Sequence, residues 1–266
     1  MSSLNAFVHA LRAYNRNRRA HKEEPEVPYL RYVLAADDVC LHVGASDGRH
    51  SYTMARDAPR ARIHAFEPSR FTFGVLQRVM RWHGLSDRVT AVNAAAGDAP
   101  GELMLVTPRK TSGRMGRALA FTAAAAPEGQ ARPDIDTAGV AVQPTPVIVL
   151  DDWCAAHGVG RVDFIRMDIE GSEAAALKGA LGIIERDHPN ALVEIHPAML
   201  KARFGADAQG VVDLFLTRGY RMFELEGDQL VERRDARPDL PWKDYFFLHP
   251  SRLDRLPEGP FKTLMA

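Results

Sequence analysis

Asp168 with Glu170, and Glu194 with His196, form two pairs of polar residues, each pair two apart at the end of a short apolar run near 162–167 and 191–195. If the extended backbone continues past each run, residues two apart project to one face. Carboxylates beside an imidazole offer general acid–base chemistry. They also make an oxygen-rich ligand set with one nitrogen, which suits Mg²⁺, Mn²⁺ or Ca²⁺ better than structural Zn²⁺. A plainer role competes, because acids just after a strand often cap the next helix, and Asp168 or Gly171-Ser172 could start the helix containing Glu173 and Lys178. A second constellation is Val39-Cys40-Leu41-His42-Val43-Gly44-Ala45-Ser46-Asp47-Gly48, an apolar run that breaks into a small-residue turn, followed by Ile63-His64-Ala65-Phe66-Glu67-Pro68. An unbroken apolar run suits a strand buried on both faces, and glycine lets the backbone turn tightly where a ligand approaches. Glu67 lies 19 residues past Gly48, a spacing that places an acid to bind ribose hydroxyls at the carboxyl ends of adjacent parallel strands.

Short apolar strands alternate with helical segments from residue 38 onward. Strands are expected near 39–43, 62–66, 89–93, 162–167 and 191–195, and helices near 49–57, 70–83, 151–157, 172–185 and 198–218. Two or three closing strands follow around 220–224, 229–233 and 244–249. The alternation implies a parallel sheet with helices on both faces. Residues 98–146, rich in Gly, Pro and Ala, interrupt the rhythm and read as an insertion or lid with a β-hairpin between Glu102–Val106 and Val140–Val149. The expected organisation is a basic helical cap over 1–36, a main domain over 37–250 and a C-terminal tail over 251–266.

The 266 residues are 46% hydrophobic, ample for one large core. Thirty-four Lys and Arg balance 34 Asp and Glu, so no global field favours nucleic acid or membrane, and any preference for a charged partner must be local. Residues 1–30 carry Arg12, Arg16, Arg18, Arg19 and Lys22 ahead of Glu23, Glu24 and Glu26. They read as a solvated capping helix, with contact to an anionic polymer or membrane surface as the alternative. Cys40 and Cys154 suit reduced thiols, and the absence of a long apolar run or signal-peptide pattern leads to a cytoplasmic expectation. A homo-oligomer is compatible with this composition.

The glycine spacing separates nucleotide classes. A dinucleotide loop needs G-x-G-x-x-G, whereas here Ser46 replaces the second glycine and the next falls at 48. This disfavours an NAD(P)-dependent oxidoreductase, and Gly44-x-Ser46-x-Gly48 instead resembles the loop of class I S-adenosylmethionine-dependent methyltransferases. Three separated motifs, Val43-Gly44-Ala45-Ser46-Asp47-Gly48, Ala65-Phe66-Glu67-Pro68 and Phe164-Ile165-Arg166-Met167-Asp168-Ile169-Glu170-Gly171-Ser172-Glu173, together resemble the FkbM-type family of such enzymes. Supporting pieces are Val92–Asp98, Val149–Asp152, Leu177–Ala180 and Leu192–His196. The resemblance spans roughly 38–225. It departs from the family at His42, where an acid is usual, and at Arg166, where a lysine is common.

The resemblance implies a Rossmann-like, doubly wound, mostly parallel seven-stranded sheet with S-adenosylmethionine as donor and, commonly, O-methylation of a sugar or other secondary-metabolite hydroxyl. Gly44, Ala45, Ser46, Gly48, Glu67, Pro68, Asp98 and Asp168 are the donor-side candidates. It makes the strands ending at Asp168 and Glu194 neighbours, so that Asp168, Glu194 and His196 converge as catalytic candidates and as ligands for Mg²⁺ or Mn²⁺. His42 also motivates a catalytically inactive cofactor-binding module as an alternative. His42 and His64 are expected mainly as core or loop-supporting residues. Arg109, Lys110, Arg114 and Arg117 form a basic loop able to order around an anion, which points to an anionic carbohydrate or glycoconjugate acceptor, with a solvated surface loop as the alternative. Nucleic acid is not an expected partner.

Overall fold

The computed structural model describes residues 3–18, 24–110, 121–122 and 135–266. Helix α1 (Ser3–Asn17) and a 3-10 turn (Val27–Tyr32) precede β1 (Val39–Val43), α2 (Arg49–Asp57), β2 (Arg62–Phe66), α3 (Arg70–Trp82) and β3 (Val89–Val92). The interrupting segment supplies β4 (Ala95–Ala96), β5 (Gly101–Lys110), β6 (Phe121–Thr122) and β7 (Ile135–Ile148). Then come α4 (Leu150–Ala156), β8 (Phe164–Met167), α5 (Glu173–Lys178), α6 (Leu181–Asp187), β9 (Asn190–Ile195), α7 (Pro197–Phe204) and α8 (Ala208–Leu216). The chain closes with β10 (Arg221–Glu226), β11 (Gln229–Arg233), β12 (Lys243–Leu248), a 3-10 turn (Pro250–Arg255) and α9 (Pro260–Met265).

The main sheet runs β11-β10-β12-β9-β8-β1-β2-β3, eight strands rather than the seven expected, because all three closing strands join it. β12 lies antiparallel between β9 and β10, while β9, β8, β1, β2 and β3 are mutually parallel. The chain winds outward from β1 through β2 and β3, then returns to β8 on the other side of β1. That reversal leaves a crevice at the carboxyl ends of β1 and β8, the usual position for a ligand in an open α/β sheet. β1 and β8 are apolar and buried along most of their length, as strands covered on both faces must be.

The hairpin expected in the insertion is present, with β5 and β7 antiparallel from Gly101↔Val147 to Lys110↔Ile135, but it forms a separate four-stranded sheet, β4-β7-β5-β6. The single helix expected over 172–185 is two. Asp151 of α4 explains the break, because its carboxylate accepts from the amides of Gly182 and Ile183 at 2.8 Å each and so caps the start of α6 from another element. Residues 251–266, expected as a tail, join the core: Phe261 is fully buried, with its ring against those of Phe223 and Phe246. No helix among the described residues is long and apolar enough to cross a membrane.

Candidate active site

The glycine turn after β1 and the loop after β8 meet at the crevice. Gly44 has φ +81°, and a Cβ built on it would lie 1.9 Å from the carbonyl oxygen of Asp168, so the two loops touch backbone to backbone. Gly48 has φ +86°, with Met80 and Leu76 of α3 filling the space a side chain would need. The amides of Gly44 and Ala45 donate to the Phe66 carbonyl at 3.0 and 2.8 Å, tying the turn to the end of β2. Ser46 takes the left-handed conformation (φ 49°) where a third glycine would be easier.

Glu67 braces this turn. One carboxylate oxygen accepts from the Ser46 amide at 2.9 Å and the other from the Ser69 amide at 2.8 Å. Burial pushes its carboxyl up to about 7 despite those two amides, which pull the other way. The Pro68 carbonyl accepts from Asn93 and from Gln143 of β7, at 3.0 and 2.9 Å, so the root of the inserted hairpin is anchored at this edge. Asp98 stands exposed on the bend after β4 and forms no hydrogen bond or ion pair among the described residues.

Asp168, Glu194 and His196 converge as expected from neighbouring strands, with ligand-capable atoms all within 4.8 Å of one another. His196 Nε2 lies 2.8 Å from Glu194 Oε1 and 3.9 Å from Asp168 Oδ1, close contacts in which Nε2 makes no well-aligned hydrogen bond. Burial opposes the imidazolium charge, but the two carboxylates outweigh it and raise His196 to about 10. Burial likewise works against ionised Asp168, yet His196 and Arg166 bring it down to about 2.

The organising residue is Arg166, which is 1% exposed. Its Nη2 lies 3.3 Å from Glu194 Oε2 and 3.6 Å from Asp168 Oδ2, while Nη1 donates to Asp244 at 2.9 Å. Burial disfavours its charge, but these three acids hold it firmly protonated. Asp244 reaches it because β12 pairs antiparallel with β9, setting Asp244 opposite Glu194. Burial pushes the Asp244 carboxyl well up, with Arg166 opposing.

Glu170 does not share a strand face with Asp168. β8 ends at Met167, and Glu170 (φ 51°) and Gly171 (φ 108°) are left-handed, which ends the alternation. Glu173, fully buried, accepts instead from the Gly171 amide at 2.9 Å, and burial lifts it to about 7. His42 is 1% exposed, hydrogen-bonded through Nδ1 to Ser51 at 2.7 Å, and kept neutral by burial with His50 and Arg166 nearby. His64 packs edge-on to Trp153. Arg114 and Arg117 lie outside the described residues, and for Arg109 and Lys110 only the backbone is described.

Sequence reasoning missed the roles of Arg166, Asp244 and Glu173. Arg166 and Glu173 sit inside the motif that flagged Asp168, and for Arg166 a charge within an otherwise apolar strand is the available signal. Asp244 gave none, since only the β9–β12 register selects it.

A family model described as the methyltransferase FkbM domain matches residues 42–222. No curated protein matches the chain. Among solved structures, a methyltransferase FkbM from Methylobacillus flagellatus is 17% identical with a TM-score of 0.50, covering 91% of this chain and 60% of its own length. The chain therefore spans about three-fifths of that protein. An O-methyltransferase from Bacillus cereus, solved in complex with SAH, gives 12% identity and a TM-score of 0.46, covering 93% and 90% of the two chains. A precorrin-6y C5,15-methyltransferase from Geobacter metallireducens gives 13% and 0.45, covering 87% and 91%. At 17% identity the likeness to the Methylobacillus flagellatus protein is one of fold.

Proposed function

The chain belongs to the FkbM methyltransferase family, and from this premise we propose that it transfers a methyl group from S-adenosylmethionine to a hydroxyl oxygen of a carbohydrate or glycoconjugate. The observation that carries the reading is the crevice in which the Gly44–Gly48 turn, braced by Glu67, adjoins Asp168, Glu194 and His196. S-adenosylmethionine, when bound, supplies an electrophilic methyl on a sulfonium sulfur. Glu67 suits the donor's ribose: each of its oxygens accepts one amide, and a carboxylate has about four lone-pair sites, so acceptor capacity remains for hydroxyls. The Gly44–Gly48 turn offers close backbone approach.

A sugar hydroxyl is a weak nucleophile at neutral pH and must lose its proton as the new bond forms. His196, held protonated at neutral pH, does not act as the base in this arrangement. Glu194 and Asp168 present carboxylate oxygens at the same point, and Glu194 is the base we assign in the absence of metal. We extend the proposal to a divalent cation, Mg²⁺ or Mn²⁺, at Asp168, Glu194 and His196, since two carboxylates and an imidazole nitrogen without a well-aligned hydrogen bond form a suitable donor set. There it would take the place of the imidazole proton and acidify a bound hydroxyl.

Formation of S-adenosylhomocysteine in a panel of saccharide and catechol acceptors tests the reading. Turnover with a saccharide is expected, reduced at least tenfold in Asp168→Asn and His196→Ala with donor Kd nearly unchanged. Turnover with catechols and no saccharide would overturn the carbohydrate assignment. Full activity in excess EDTA would remove the metal and leave Glu194 as base.

A further inference from the structure

Helix α1 turns two faces to different surroundings. Ala10, Ala13 and Asn17 are buried, the two alanines in the core that α1 shares with α3. Leu4, Phe7 and Leu11 are 68%, 47% and 45% exposed, at the i, i+3, i+7 spacing of one helical stripe. Phe7 leans edge-on against Trp82 at the end of α3, with ring centroids 5.5 Å apart, which widens the apolar ridge. Such a stripe on a surface helix is a feature that solitary exposed apolar residues are not.

The charge around the ridge has one sign. Arg12 and Arg18 on the α1 side and Arg81 on α3 are exposed, and Arg78 is half-buried. Neither residues 1–22 nor residues 68–86 contain a single Asp or Glu. Arg12, Arg78 and Arg81 form no ion pair among the described residues, whereas Arg16 on the same helix is taken up by Asp47 of the glycine turn. A net charge of zero for the whole chain therefore conceals a basic, apolar face.

We propose that the α1–α3 face docks on an anionic lipid bilayer, with Leu4, Phe7 and Leu11 entering the headgroup boundary and Arg12, Arg18 and Arg81 meeting anionic headgroups. A bilayer surface satisfies both features at once, apolar depth and negative charge, and an in-plane amphipathic helix is the form such binding takes. A second copy of this chain fits worse, because a two-fold contact would set the same arginines against one another with no acid in either helix pair to offset them. Nucleic acid would meet the arginines and leave three large apolar side chains with nothing to bury against. The Arg16–Asp47 pair ties the docking helix to the cofactor turn. The proposal stands apart from the methyl-transfer reading, since docking is measured without donor or acceptor.

Flotation of the full chain with vesicles of phosphatidylcholine, alone or with phosphatidylglycerol added, tests it. The protein is expected to float with the anionic vesicles and not with the neutral ones. Arg12→Gln, Arg18→Gln and Arg81→Gln should each weaken binding about fivefold. Leu4→Ser/Leu11→Ser should weaken it at least tenfold with an unchanged melting curve, both side chains being exposed. Four outcomes would overturn docking: absence from both vesicle types, equal binding to both, binding indifferent to Leu4→Ser/Leu11→Ser, or self-association in sedimentation velocity that this double variant abolishes. Preferential binding of RNA over anionic vesicles would overturn it too.

Discussion

Glu67 and Arg166 do unlike work at the two strands that flank β1. Glu67 holds two loop amides with a carboxyl that titrates at about 7. Its ionised form is the better acceptor for ribose hydroxyls, so donor affinity should rise with pH through about 7, and Glu67→Gln should make the Kd–pH profile flat. Glu67→Ala, which also strands the Ser46 and Ser69 amides, is expected to weaken S-adenosylmethionine binding by roughly tenfold to a hundredfold, about 1.5–3 kcal/mol. Isothermal calorimetry reads both, and unchanged affinity in Glu67→Ala would sink the donor-site assignment. Arg166 is the counter-charge of Asp168 and Glu194 and the hydrogen-bond donor to Asp244. Arg166→Met leaves those acids without it and should cost about 3–5 kcal/mol in denaturant unfolding, as breaking a buried pair does. Arg166→Lys keeps the charge but not the fork that reaches Asp244 with one nitrogen and Glu194 with the other, so its loss should be intermediate.

The turn after β1 is constrained by what touches it rather than by its composition. Gly44 and Gly84 both have positive φ, yet a Cβ at Gly44 meets the Asp168 carbonyl at 1.9 Å and one at Gly84 meets nothing within 4 Å. Gly84→Ala should therefore cost only the conformational penalty, about 1–2 kcal/mol. Gly44→Ala adds displacement of the β8 loop and should exceed roughly 3 kcal/mol, with a matching loss of donor binding. Equal melting temperatures for the two variants would contradict the loop–loop contact. Gly179, in the right-handed region, shares only the close contact, since its Cβ would meet the Gly97 carbonyl at 2.1 Å where the α5–α6 break passes the residue after β4.

Across the whole molecule the titratable groups pull stability in two directions. Burial lowers His42, His64 and His83, the last to about 4, so their share is present above about 6.5 and lost as pH falls through their folded values, while other groups work the opposite way. Glu67 and Glu173 titrate at about 7 in the fold against about 4.3 for an ordinary glutamate, so the stability tied to their neutral form is complete below that ordinary value and is lost as pH rises through 7. His196, raised to about 10, contributes stability present below about 6.5 and lost as pH climbs through 10. Asp168, lowered to about 2, works oppositely, its share being present above about 3.9 and lost only as pH falls toward 2. The share of thermal stability tied to Glu67, Glu173 and His196 should thus decline toward about pH 8, against a rise from the neutral imidazoles that is complete by about pH 6.5. Measured against the parent protein, Glu67→Gln and Glu173→Gln should each lose less stability between about pH 5 and 8 in calorimetric scans, and a pH dependence identical to the parent's would overturn the role given to that carboxyl.

What local sequence determined is what local forces decide. The Val39–Val43 run followed by Gly44 and Gly48, the acid at 67, and the alternation of apolar runs with helical segments each depend on residues near in the chain, and the structure keeps all of them. The convergence of Asp168, Glu194 and His196 followed from the family resemblance together with two strand ends. Tertiary structure alone decided that Glu170 turns away at a left-handed residue, that Asp151 splits the helix expected over 172–185, and that the inserted hairpin builds its own sheet. It also decided that Asp244 faces Glu194 and that Arg166 gathers three acids. These depend on strand register and on contacts between residues as far apart as Arg166 and Asp244, where pairing is selected by the closing of the whole sheet rather than by the residues' own neighbours.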